Sequence, residues 1–216
     1  MNRLSNKHSH SDQLAGAATV SRDARQLLRS LDGLLPEPVL SPVLVAISGL
    51  PGTGKSYFSR RLAERVPLAV LESDAMRKIL TPSPFYTAKE SARLFQAIHE
   101  VIDLLLGQRV SVLLDATSLR ETNRKHLYLL AECHKAKMMV VLVEAPPQVV
   151  RQRLEARGIT HPRQDHSDAD WDAHQRMRTL QEPIKRKHTS VDTSDDIETM
   201  VAKMAREIRL WTGQGR

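Results

Sequence analysis

The densest chemistry in the chain lies in one run. Gly49, Leu50, Pro51, Gly52, Thr53, Gly54, Lys55 and Ser56 follow one another. Their spacing is G-x-x-x-x-G-K-[ST], the loop that cradles the phosphates of a nucleoside triphosphate. Gly49, Gly52 and Gly54 let the backbone turn tightly, so that successive N–H groups can point at phosphate oxygens. Lys55 would reach the β- and γ-phosphates, and the Ser56 hydroxyl would ligate Mg²⁺. The apolar, β-branched run over residues 43–48 precedes the loop. Residues 55–66 follow it, with Phe58, Leu62 and Val66 at helical spacing. Strand, glycine loop and helix form the setting in which this motif works. Nucleotide contacts are expected from Gly49 through Tyr57.

Further candidates fall where strands should end. Apolar stretches predict strands over residues 43–48, 68–72, 110–114, 138–143 and 189–192, alternating with helices. That alternation predicts an α/β fold with a five-stranded parallel sheet covered by helices on both faces. Ligands of such a sheet bind beyond the carboxyl ends of its strands. Gly49, Asp74, Asp115 and Glu144 follow the first four strands in turn. Asp115, after an apolar strand, has the Walker B pattern and is expected beside Mg²⁺ with Ser56. Asp74 could accept the proton of an attacking hydroxyl, with Arg77 one helical turn later clamping an anionic group; alternatively it caps a helix. Arg153 and Arg157 are four apart and would neutralise charge on a transferred phosphoryl group. Residues 158–166 read as a mobile lid segment. His161, Asp165 and His166 are too few for a metal cluster. His99, His126 and His134 lie within helices and read as packing residues.

Helix boundaries come from capping and periodicity. Ala24, Leu27, Leu28, Leu31 and Leu34 predict a short amphipathic helix ended by Gly33 and Pro36, after a polar, disordered start over residues 1–21. Thr87 with Glu90, and Ser118 with Glu121, have capping-box spacing. The first opens a helix with the stripe Leu94, Phe95, Ile98, Ile102 and Leu105, closed by Gly107; the second opens the helix of Leu127, Leu130 and Ala131. A last helix is expected over residues 195–211, with Ile197, Val201, Met204, Ile208 and Trp211 on one face. The division expected is a tail and short helix over 1–40, then one domain over 41–216 with a lid around 146–170.

The bulk composition narrows the partners. The chain has 216 residues, 32 Lys and Arg against 25 Asp and Glu, and a net charge of +7. A basic surface favours polyanions, whereas 4% aromatic content argues against a base-stacking platform for single strands. The one cysteine, Cys133, cannot form an internal disulfide, which suits a cytoplasmic location, and it is expected as buried filler in a helix. No apolar run has the roughly 18–20 residues that would span a membrane.

The set G-x-P-G-x-G-K-S, S-D-x-x-R, h-h-D-A-T and R-x-x-x-R resembles the polynucleotide-kinase-like P-loop kinases. That group includes zeta-toxin-like enzymes and P-loop domains fused to aminoglycoside-phosphotransferase-like domains. The resemblance covers roughly residues 43–192. It implies a P-loop kinase core with the first strand in mid-sheet, and ATP with Mg²⁺ as cofactors. It also implies Asp74 as base, Arg77 as acceptor clamp, Asp115 and Thr117 at the metal and acceptor side, and Arg124, Arg153 and Arg157 near the phosphates. The expected activity is transfer of the γ-phosphoryl of ATP to a hydroxyl of a small or nucleotide-like molecule. The alternatives are a polynucleotide 5′-hydroxyl kinase and an ATP-hydrolysing switch. ATP rather than GTP is what the resemblance implies, and the sequence has no Asn-Lys-x-Asp guanine-reading motif.

Overall fold

The computed structural model describes residues 20–118, 120–160 and 167–214. His8, His10, His161, Arg163, Asp165 and His166 lie outside the described residues, as does most of the expected tail.

Five short apolar segments pair into one parallel sheet: β1 (Val43–Ser48), β2 (Ala69–Glu72), β3 (Val112–Asp115), β4 (Lys137–Glu144) and β5 (Thr189–Asp192). Their order is β2-β3-β1-β4-β5, so β1 runs through the middle. All six residues of β1 are buried. Alternation sends Leu44 and Ala46 to one core, and Val43, Val45 and Ile47 to the other. Each face of the sheet therefore needs its own cover of helices.

The first face carries α1 (Arg22–Arg29), α3 (Ser73–Leu80), α4 (Ala88–Gly107) and α5 (Glu121–Cys133). The second is covered by α2 (Lys55–Ala63) and α8 (Glu198–Thr212). Helices α6 (Pro147–Thr160) and α7 (Trp171–Arg178) sit at the carboxyl edge of the sheet, where their residues line the cavities described below. The Thr87–Glu90 capping box is present at the start of α4. Leu94, Ile98, Ile102 and Leu105 form its buried stripe, with Phe95 half-buried beside them.

Several expected boundaries move. Helix α1 stops at Arg29, because Ser30 Oγ turns back to Leu27 O at 2.6 Å; Leu34 falls outside it and is exposed. Ser118 does not cap α5. Its φ is 44°, left-handed, whereas a cap needs extended backbone, and Arg120 takes that position. Cys133 is not buried filler: it ends α5 and is exposed. Helix α6 continues to Thr160, two residues past the Gly158 at which a lid segment was expected. Helix α8 begins at Glu198 rather than 195.

Candidate active site

The glycine loop joins β1 to α2 at the carboxyl edge of the sheet. Gly54 holds φ 89° as the N-cap of α2, and no side chain caps that helix. Its first N–H groups are left to an anion, with the positive end of the helix dipole behind them. At Gly49 a Cβ would lie 2.3 Å from Val143 O, so no other residue fits there without moving β4. Lys55 Nζ lies across the loop, 3.0 Å from Leu50 O.

A cavity of about 400 Å³ opens over the loop. Pro51, Gly52, Gly54, Lys55, Ser56 and Tyr57 line it, together with Asp74, Asp115, Thr117, Arg153 and Arg157. Three residues of the expected nucleotide set lie elsewhere. Leu50 and Thr53 line a smaller cavity of about 190 Å³ on the other side of the loop, and Thr53 Oγ1 donates to Leu50 O at 2.8 Å. Gly49 donates its N–H to Thr117 O at 3.2 Å.

Asp115 ends β3 and is 3% exposed. Burial pushes its carboxyl up from the usual range; the Lys55 ammonium and the Ser56 hydroxyl pull it back, while Asp74 adds a like charge. A buried carboxylate and a hydroxyl beside it, both on the wall of this cavity, are hard oxygen donors that fit Mg²⁺.

Asp74 is the second residue of α3, whose N-cap is Glu72, so it does not serve as a capping side chain there. It lines both the first cavity and an adjoining one of about 520 Å³. Lys55, Pro51, Ser73, Thr117 and Ser167 also belong to both walls. The second cavity adds Arg77, Tyr86 and Phe95 on one side, and Asp168, Arg176, Met177 and Leu180 on the other. Arg77 is 8% exposed, with its guanidinium 5.1 Å from the Tyr86 ring. Its Nη2 reaches Ser91 Oγ at 3.4 Å, while Nε and Nη1 are buried without a hydrogen-bond partner. The Tyr86 hydroxyl donates to Asp168 at 2.7 Å; burial first, and then that bond, push the phenol up.

Arg124 does not reach either cavity. It is 2% exposed, pairs with Glu121 at 2.9 Å, and donates to the carbonyls of Ser118, Glu182 and Pro183. Its place in the first turn of α5 turns it towards the returning chain, not the phosphates. Arg153 reaches the first cavity while held by Thr193, through Oγ1 at 2.8 Å and the carbonyl at 2.7 Å.

Two parts of this site escaped the reading of the sequence. Thr193 follows β5, and its hydroxyl donates to Thr53 O at 2.6 Å, tying the fifth strand to the glycine loop. The strand-end rule that picked Asp74 and Asp115 would also have picked Thr193 had it been applied to the fifth strand. Helix α7, started by Asp170 accepting from Ala173 N at 2.7 Å, was not foreseen at all. Its signal was the Asp170 cap and the Trp171–His174 spacing, in a stretch with little apolar periodicity.

An AAA domain matches residues 44–184, most of the chain and all of the site except Thr193. The chain belongs to that family. Its fold is shared with solved structures. Kti12 of Chaetomium thermophilum, in complex with ADP-AlF3, is similar at TM-score 0.61 and 19% identity, over 78% of this chain and 98% of that one. The APS kinase CysC of Mycobacterium tuberculosis, in complex with AMPPNP and APS, is similar at 0.57 and 16%, over 77% and 96%. A gluconokinase of Sinorhizobium meliloti is similar at 0.53 and 20%, over 80% and 93%. This AAA domain thus has the five-stranded α/β architecture of P-loop kinases. No helix among its described residues is long and apolar enough to cross a membrane.

Proposed function

We propose that the protein is an ATP-dependent kinase that transfers the γ-phosphoryl group to a hydroxyl of an anionic, small or nucleotide-like acceptor. The observation that carries this reading is the position of Asp74 on the wall common to two cavities. One has the phosphate loop, and the other has room for a molecule of nucleotide size. A switch that only hydrolyses ATP has no use for the second.

In this reading the triphosphate lies on the N–H groups of Gly52, Gly54 and the start of α2. Ser56 and Asp115 would hold Mg²⁺, which supplies charge neutralisation on the phosphates. Asp74 takes the proton of the acceptor hydroxyl. The new bond forms between that oxygen and the γ-phosphorus, the bond to the bridging oxygen breaks, and ADP leaves. Lys55, Arg153 and Arg157 stabilise the charge that spreads over the equatorial oxygens. Thr117 borders both ligands and orients the acceptor beside Asp74. APS kinase and gluconokinase, which share the fold, support the kinase class.

The acceptor's charge is read from Arg77. Two buried guanidinium nitrogens without partners cost free energy until acceptor atoms supply them. A carboxylate or phosphate on the acceptor would do so, while Tyr86 and Phe95 face its apolar part. The test is ADP release with a panel of hydroxyl compounds in matched anionic and neutral pairs. Turnover should be confined to anionic members, and Arg77→Leu should cut kcat/KM by about ten- to hundredfold for them. Equal use of neutral partners would refute the anionic acceptor. ADP release that no acceptor stimulates would favour the switch.

A further inference from the structure

His174 is a buried imidazole with no part in the chemistry above. It lies in α7, is 5% exposed, and its Nδ1 is 2.8 Å from Pro51 O in the phosphate loop. A carbonyl oxygen only accepts, so Nδ1 carries the proton in this bond. The ring is clamped. It stacks on Trp171 with centroids 5.0 Å apart and planes 7° from parallel, and its backbone N–H donates to Asp170 O at 3.1 Å.

The carbonyl of Pro51 and the N–H of Gly52 belong to one peptide unit. None of the described peptide bonds is cis. In a planar trans unit the C=O and N–H point in opposite directions. Fixing Pro51 O towards His174 therefore turns the Gly52 N–H to the far side. His174 lines the smaller cavity behind the loop, whereas Gly52 lines the cavity assigned to the triphosphate. Glycine on one side of a peptide makes that unit easy to flip, and the flipped form would aim a carbonyl oxygen at the phosphates.

We propose that His174 is a positioning residue for the phosphate loop: its hydrogen bond to Pro51 O locks the Pro51–Gly52 peptide with the Gly52 N–H towards the nucleotide. The proposal rests on the nucleotide reading of the first cavity. It also gives α7 a double duty, since Ala173, Arg176 and Met177 of the same helix line the second cavity. Acceptor and nucleotide sides thus meet in one helix.

The experiment is calorimetric titration of the full chain with Mg²⁺ and ADP, alongside thermal melting. Three proteins are compared: wild type, His174→Phe and His174→Asn. Phenylalanine keeps the stack on Trp171 and removes the donor. Asparagine carries an amide nitrogen that, like Nδ1, hangs from Cγ and can donate to Pro51 O. The expected result is a loss of about tenfold in ADP affinity for His174→Phe and recovery to within about threefold for His174→Asn. Should phenylalanine unfold the chain, His174→Leu serves as the donor-free variant. A donor-free variant that binds ADP like wild type, or an asparagine variant that loses as much as it does, overturns the proposal. Wild type that binds no ADP overturns the nucleotide reading itself, and this proposal with it.

Discussion

Asp74 tests the chemistry one side chain at a time. It neighbours Asp115, whose carboxyl it pushes upward, and lies on both cavity walls. Asp74→Asn keeps the shape and removes the basic oxygen. Phosphoryl transfer should fall by about 10²–10⁴-fold, with affinity for ATP and Mg²⁺ nearly unchanged. Single-turnover transfer and equilibrium binding check this separately. A parallel loss of binding would make Asp74 a metal or nucleotide ligand. The placement of Asp74, Asp115 and most of the loop residues around one cavity could be read from the chain because each follows an apolar run, where the strand direction fixes its place. Arg124 could not. The family resemblance implied a place for it near the phosphates, but its partners, Glu121 and the carbonyls of Glu182 and Pro183, depend on how the chain returns after α7.

At the scale of elements, the strands were the legible part. β1 and β5 have the expected limits, since apolar runs between turn residues leave little freedom. The ends of β3, α5 and α8 shifted because local hydrogen bonds decide them. Ser111, expected within β3, instead spends its hydroxyl on Val43 N at 3.1 Å and its carbonyl on Ala69 N at 2.8 Å. The packing of α4 on α5 has a consequence of its own. His99 of α4 stacks on His126 of α5 with centroids 5.2 Å apart. Burial, followed by the neighbouring imidazole, lowers the His99 pKa to about 4. The unfolded chain therefore binds the proton first. The stabilisation from a neutral His99 is complete above about pH 6.5, declines below it, and is gone once pH falls through about 4. Urea unfolding at pH 7.5 and pH 5 should show wild type losing about 1–2 kcal/mol more than His99→Phe, which cannot titrate. Equal losses would mean that His99 remains solvated.

At the scale of the molecule, charge and cavity shape work together. A net charge of +7 draws anions towards a carboxyl edge that carries Lys55, Arg77, Arg153, Arg157 and Arg176 on its cavity walls. Helix α7 lines the second cavity and reaches the glycine loop through His174. The central claim is that ATP is consumed to phosphorylate a hydroxyl. The most direct measurement is ADP formation with and without the acceptor panel, for wild type and Lys55→Ala. The account predicts acceptor-dependent ADP formation, phosphate recovered on the acceptor, and a loss of at least about 10²–10³-fold in the variant. ADP formation indifferent to both acceptor and Lys55, from a variant that folds normally, would contradict it.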